Sequence, residues 1–370
     1  MITARTFVGK HFAVLGLARS GLATVEALLA SGARVTAWDD KESARSSLQA
    51  KLVGRGTAAA GSGGGVGADP STIESSFDGP PPQPSAREEL EIADFLDSDL
   101  SRFDSIVVTP GLPLNRHPIA QRAREAGVEI IGDIELFARA RPELPPHKVV
   151  GITGTNGKST TTALVHHILK TAGVPTEMGG NIGLPILVQD PLTPNDKGVG
   201  VYVLELSSYQ IDLTQSLDCD VAVLLNITPD HLDRYDSFEA YAASKARLFE
   251  MQSSNRIALD LTRAPAEAGA QSSAQALLSQ RSGLLPSQEH WPALQGPHNA
   301  QNATAAISAC KLLGLDDEQI EQGLRTYPGL PHRMERIREK DGVLFVNDSK
   351  ATNPTATAPA LAAFPKIRWI

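Results

Sequence analysis

The run Gly151-Ile152-Thr153-Gly154-Thr155-Asn156-Gly157-Lys158-Ser159-Thr160 constrains the fold more than any other stretch of this chain. It lies between an apolar, β-prone segment, Lys148 to Ile152, and a helix predicted to start near Ser159. A glycine-rich turn in that context lets successive backbone N–H groups face a phosphate, and the helix N-terminus adds partial positive charge. Lys158 would bridge the β- and γ-phosphates, and the Ser159 hydroxyl would ligate Mg²⁺. The strict spacing G-x-x-x-x-G-K-[ST] is not met, because its first position is Ile152, but G-x-x-G-K-S is. The plainer alternative is an ordinary glycine-rich turn. The adjacent Lys-Ser and the flanking elements favour nucleotide binding.

Such a loop needs a parallel α/β sheet behind it, and the chain has the length for more than one. Its 370 residues, 41% hydrophobic and 21% charged, predict two or three domains with real cores. No run approaches the ~20 apolar residues of a membrane helix. Arg5 and Lys10 precede an apolar stretch, yet Arg19 interrupts it, so a strand explains it better than a signal peptide. The two cysteines, Cys219 and Cys310, exclude a disulfide framework and read as small buried residues in a reducing cytoplasm. A net charge of −8 argues against bulk nucleic-acid binding.

Residues 11–39 read strand, turn, helix, strand: His11 to Leu15, Gly16 to Gly21, a helical run through Leu22, Val25, Leu28 and Leu29 stopped by Gly32, then Arg34 to Trp38. This βαβ unit predicts a parallel sheet. Residues 54–86, rich in Gly, Ala, Ser and Pro, read as a flexible insertion. Ser105 to Val108 reads as a buried strand, and Arg141 to Pro146 as a linker. Further strands are expected at Val201 to Glu205, Val221 to Leu225 and Val343 to Val346, a helix at Thr355 to Ala363, and the start of a strand at Ile367 to Ile370. The resulting domains are 1–147, 148–330 and 331–370, the last expected to be incomplete.

Glu205 ends a buried strand, and the carboxyl ends of parallel strands are where ligands gather. It reads as a Mg²⁺ ligand, with a turn carboxylate as the alternative. The next strand ends in Asn226-Ile227-Thr228-Pro229-Asp230-His231, which brings His231 to the same edge as a structural residue or a ligand. In the predicted helix Phe238 to Met251, the apolar positions Phe238, Tyr241, Ala242, Leu248 and Phe249 place Lys245 on the inward stripe. A buried lysine is paired or has a depressed pKa, and a neutral amine can take up CO₂ as a metal-binding carbamate. Snorkelling to the stripe's edge is the competing reading, slightly favoured by spacing alone. Near the N-terminus, Gly16-Leu17-Ala18-Arg19-Ser20-Gly21 followed by Asp39 approximates a dinucleotide fingerprint, but Ala18 replaces the glycine that lets the backbone approach a pyrophosphate. A diphosphate-bearing ligand held less closely fits it better than NAD. Asp39 is equally explained as a ligand to a ribose or base and as a turn residue.

Taken together, these segments resemble the Mur ligase family. The resemblance is carried by Gly132 to Phe137, Gly154 to Thr160, Gly180-Asn181-Ile182-Gly183, Leu204 to Gln210, Asp230 to Tyr235, Ser244 to Arg247, His298-Asn299, Leu330 to Arg333 and Asn347 to Asn353, in the family's order. It implies a three-domain α/β architecture: a Rossmann-like UDP-sugar domain, a central P-loop ATPase-like domain with a parallel sheet, and a Rossmann-like C-terminal domain, here truncated. It also implies a cytoplasmic, monomeric, ATP-dependent ligase of peptidoglycan precursor synthesis that joins D-glutamate to UDP-N-acetylmuramoyl-L-alanine through an acyl phosphate. By the same resemblance Lys158, His231 and Lys245 are catalytic. Gly154, Thr155, Asn156, Gly157, Lys158, Ser159, Thr160, Asn299, Asn302 and Arg333 bind ATP. Gly16, Ala18, Asp39, Asn181, Lys350 and Thr352 bind the other substrates. Ser159, Glu205, His231 and carbamylated Lys245 hold two Mg²⁺, which shifts the weight on Lys245 from structural to functional. Because the third domain stops at Ile370, the chain is expected to turn over poorly. A non-catalytic protein binding UDP-sugar and nucleotide is one alternative, and a nicotinamide-dependent oxidoreductase, disfavoured by Ala18, another.

Overall fold

The computed structural model describes residues 1–58, 89–230, 233–262, 288–351 and 354–370. They form two compact units, one of Thr3–Asp133 and one of Ile134–Ile370 with Met1–Ile2.

In the first unit, β1 (His11–Leu15), α1 (Arg19–Ala30), β2 (Arg34–Trp38), α2 (Glu42–Ala58), β3 (Leu90–Ile92), β4 (Ser105–Val108), α3 (Ile119–Ala126) and β5 (Ile130–Ile131) follow in chain order. The five strands lie in the order β3-β2-β1-β4-β5, all parallel. Phe12, Ala13, Val14, Ile106 and Val107 are buried, as near-continuous apolar strands covered on both faces must be. The strand order reverses between β1 and β4, so the turn after β1 opens at the switch point. There Gly16 has φ +94, and a Cβ on Gly21 would lie 1.9 Å from the Gly16 carbonyl oxygen, so the turn closes only on glycine. Of the insertion expected at 54–86, residues 54–58 belong to α2, which continues to Ala58; residues 59–88 lie outside the described ones.

α4 (Asp133–Ala140) leads into the second unit. There β6 (His147–Thr153), α5 (Lys158–Thr171), β7 (Thr176–Gly180), β8 (Gly200–Glu205), α6 (Ser208–Asp212), β9 (Val221–Leu224), α7 (Phe238–Glu250) and β10 (Ile257–Asp260) build a second parallel sheet, in the order β10-β9-β6-β8-β7. β6 is central. Ile152 pairs with Glu205 of β8, and Thr153 with Leu224 of β9. The loops after β6, β8 and β9 therefore emerge side by side. Val150, Ile152, Leu164, Ile168, Val203 and Val223 form the core with Ala305, Ala309 and Leu324, from α8 (Pro297–Leu312) and α9 (Asp317–Thr326). Both cysteines are free and buried.

Residues 331–370 hold an antiparallel ribbon, β11 (Glu335–Lys340) with β12 (Val343–Asn347), and then α10 (Pro354–Leu361). The strand expected at Ile367 to Ile370 does not form: no strand among the described residues ladders with it, and Trp369 and Ile370 are exposed. Among the described residues no helix is long and apolar enough to cross a membrane.

Candidate active site

The loop between β6 and α5 is held by its neighbours. Thr155 N–H donates to the Asn226 carbonyl at 2.9 Å, and Asn156 N–H to Asn226 Oδ1 at 2.8 Å. Asn226 Nδ2 returns a bond to the Asn156 carbonyl at 3.0 Å. Thr155 Oγ1 donates to the Thr228 carbonyl at 3.1 Å and accepts from Thr228 N–H at 3.0 Å. Gly154 and Gly157 have φ +152 and +86. Gly157 also serves as the N-cap of α5 without any side-chain cap. The first turn of α5 is therefore left with N–H groups that an anion can satisfy. Asn302 closes the far side: a Cβ on Gly157 would sit 2.2 Å from its Oδ1. Asn302 Nδ2 donates to Asn299 Oδ1 at 3.1 Å, one helical turn earlier. Both asparagines are buried.

Two lysines meet at one carbonyl. Lys158 Nζ donates to the Gly154 and Thr155 carbonyls at 2.9 and 2.8 Å, and Lys245 Nζ donates to the Gly154 carbonyl at 3.0 Å. Lys245 is 2% exposed, which rules out snorkelling, and its Nζ stands 4.7 Å from the Tyr241 ring centroid. Burial, reinforced by the charge of Lys158 and opposed by Asp230 and Asp212, pushes its pKa down to about 7. Near neutrality a substantial fraction is thus free amine. Burial also lowers Lys158, with Glu205 and Asp230 pulling back toward the charged form. As an ammonium, Lys245 offers only donors; a metal-ligating role requires its conversion to an anion.

Glu205 stands beside this pair. Its Oε1 accepts from Asn181 Nδ2 at 2.9 Å, while its buried Oε2 has no hydrogen-bond partner among the described residues. An orphaned carboxylate oxygen is costly unless a cation or donor completes it. Asn181 N–H also donates to the Glu205 carbonyl at 2.9 Å, so Asn181 braces Glu205 as observed. The Ser159 hydroxyl accepts from Arg333 Nη2 at 3.1 Å. Arg333 is flanked by His332 and Met334 at φ 62 and 50. Left-handed backbone at non-glycine residues costs of order 1 kcal/mol each, and strain of this kind clusters where a side chain must be aimed. Ser159 and Glu205 fit a hard divalent cation, and the uncapped glycine turn fits a polyphosphate. Among the described residues no group of His, Cys, Asp or Glu forms a complete metal cluster.

A cavity of about 300 Å³ opens from the loop, lined by Asn156, Thr160, Asn299, Asn302, Arg333 and Lys350, among others. The structure thus brings Gly154 to Thr160, Glu205, Lys245, Asn299, Asn302, Arg333 and Lys350 into one unit's site. His231 and Thr352 lie outside the described residues. Gly16, Ala18 and Asp39 belong to the other unit. There Asp39 ties two turns together: Oδ2 accepts from Leu17 N–H of the glycine turn at 2.7 Å, and Oδ1 from Lys41 N–H of its own turn at 2.9 Å. Sequence reading passed over Asn226, whose signal was an amide at a strand end beside the loop. It also passed over the capping box Ser207-x-x-Gln210 that starts α6 immediately after Glu205.

Comparison with known proteins gives a consistent picture. The Mur ligase middle domain model matches residues 152–281. The UDP-N-acetylmuramoylalanine--D-glutamate ligase of Sphingopyxis alaskensis is 56% identical over 378 residues, 100% of this chain and 78% of that protein. That of Novosphingobium aromaticivorans is 53% identical, covering 100% of this chain and 75% of that protein. Among solved structures, UDP-N-acetylmuramate-alanine ligase MurC from Thermotoga maritima aligns at a TM-score of 0.48 and 18% identity, over 96% of this chain and 77% of that one.

Proposed function

The chain belongs to the Mur ligase family, and from that premise we infer that it joins D-glutamate to UDP-N-acetylmuramoyl-L-alanine at the expense of ATP, in peptidoglycan precursor synthesis. The observation that carries the chemistry is the meeting of Lys158 and Lys245 at the Gly154 carbonyl, beside a Glu205 oxygen left without a hydrogen bond among the described residues.

ATP phosphorylates the acceptor's terminal carboxylate and leaves as ADP; the amine of D-glutamate then attacks the acyl carbon, the tetrahedral intermediate collapses with release of inorganic phosphate, the amine loses a proton, and the amide bond remains. Catalysis of this kind is mostly positioning and charge neutralisation. Gly154 to Thr160 cradle the phosphates, and Lys158 leaves its loop carbonyls to neutralise phosphate charge. Asn299 and Asn302 hold the base side, and Arg333 turns from Ser159 toward the phosphates. Ser159 and Glu205 would hold one Mg²⁺, and His231 with carbamylated Lys245 would hold a second. Bound magnesium supplies charge neutralisation at the transferring phosphoryl group. Gly16, Ala18, Asp39 and Asn181 serve the UDP-sugar, and Lys350 and Thr352 the amino acid. The domains proposed are 1–147 for UDP-sugar, 148–330 for ATP and 331–370 for the amino acid, in a cytoplasmic monomer.

The test follows ADP release with UDP-N-acetylmuramoyl-L-alanine, with and without D-glutamate. ADP formation that requires both is the expected result. ATP binding without acceptor-dependent ADP formation would leave a binding protein in place of a ligase.

A further inference from the structure

The reaction as described uses nothing from Gly132 to Phe137, yet this stretch carries a carboxylate buried more deeply than Glu205. Glu135 is 1% exposed. Its Oε2 accepts from the backbone N–H groups of Gln215 and Ser216 at 2.7 and 2.9 Å. Its Oε1 accepts from the Ser216 hydroxyl at 2.9 Å and from Arg139 Nε at 2.8 Å. A buried carboxylate is tolerated when every lone pair it turns inward meets a donor, and such a group holds its donors rigidly. What it holds is the turn that follows α6.

The same turn is gripped with the opposite polarity from α7. Arg247 Nη1 donates to the Ile211 and Asp212 carbonyls at 3.3 and 3.4 Å, and Nη2 to the Thr214 carbonyl at 3.0 Å. They lie at and just past the C-terminal end of α6, where a cation complements the carbonyls; that of Ile211 also accepts from Thr214 N–H at 3.1 Å. Ser244 Oγ adds a bond to the Ser208 carbonyl at 3.3 Å. The turn therefore joins two parts of the site. α6 begins just after Glu205, and α7 carries Lys245 two positions before Arg247.

We propose that Glu135 is a positioning residue for the ligase reaction: by fixing the turn at 213–216 it sets, through Arg247, where Lys245 lies relative to Glu205. This rests on the ligase reading above. Misplacement of a reacting constellation by about 1 Å costs on the order of a hundredfold in rate. The loop that binds the phosphates touches α7 through Lys245 and Tyr241, but it is also anchored to the strand-end residues Asn226 and Thr228, which do not move with α7. Rate should therefore fall further than nucleotide affinity.

Glu135→Gln in the full chain keeps the volume and removes an acceptor. It is expected to lower kcat about 10–100-fold and to change the calorimetric Kd for ATP by less than about threefold. Hydrogen exchange should rise at Gln215, Ser216 and α7, but not at α5. Arg247→Gln should behave alike, and the double variant should be no slower than the slower single one, because both act on one turn. The proposal is overturned by a Glu135→Gln chain with unchanged kcat, by loss of ATP affinity in step with kcat, or by effects that multiply in the double variant. If Glu135→Gln does not fold, Arg247→Gln carries the same measurements. A wild-type chain that forms no ADP with both substrates defeats the ligase reading instead. In that case the exchange experiment still decides whether Glu135 fixes α7.

Discussion

Replacing Lys245 with Ala should slow acceptor-dependent ADP release by about 10²–10³-fold, the usual cost of removing one preorganised electrostatic group. Acetate or bicarbonate should restore part of it if the lysine works as a carbamate. The amine is poised for that conversion because burial and Lys158 bring its pKa from 10.5 to about 7. A fully active alanine variant would remove Lys245 from the mechanism. Stability should move the other way. Between pH 7 and 10.5 the unfolded chain binds more protons at this position than the folded one, so this lysine's contribution to stability rises with pH across that window and is least favourable below pH 7. Lys245→Met should therefore be more stable than the parent below pH 7, by roughly 2–4 kcal/mol after allowance for relaxation. The gap should close toward pH 10. Denaturant titrations of both chains at several pH values check this; a difference that stays constant with pH would deny that the lysine titrates early.

Gly157→Ala should cost about a hundredfold in ATP affinity. Two physical terms point the same way. The position has φ +86, where an L side chain is strained by roughly 1–2 kcal/mol. Its new Cβ would stand 2.2 Å from Asn302 Oδ1, so Asn302 must move. Asn302 is tied to Asn299 and buried against the cavity, so its displacement disturbs the loop and the base side together. Calorimetry with ATP measures the loss directly. Gly154→Ala should be milder in packing, since the nearest contact is the Leu225 Cβ at 3.0 Å. Equal ATP affinity for Gly157→Ala and the parent would mean that the phosphates bind elsewhere.

Much of this site is local in character, and that part can be read directly from the chain. The alternation of apolar strands, glycine turns and helical runs in 11–39 and 148–171 specifies parallel βαβ units. The Lys158-Ser159 pair then falls at a helix N-terminus by construction. The spacing that put Lys245 on the inward stripe of α7 was also sufficient, since Tyr241, Lys245 and Leu248 are all buried there. Where periodicity misled was at Ile367 to Ile370, because an apolar run makes a strand only beside another strand. Asp39 could not be decided either: a strand-end carboxylate looks the same whether it meets a ligand or backbone amides, and the amides of Leu17 and Lys41 that it accepts from were not legible in the chain.

The sequence by itself determined which elements form and which reactive side chains stand at their ends, because helix and strand periods and turn chemistry act over a few residues. Only the tertiary structure decided which of those ends meet. β6 lies between β8 and β9, so residues 91 positions apart, Gly154 and Lys245, share a hydrogen bond. Likewise Glu135 reaches Ser216 across 81 positions. Such contacts are set by the order of strands and the packing of helices over them, and burial then fixes the protonation of what has been brought together.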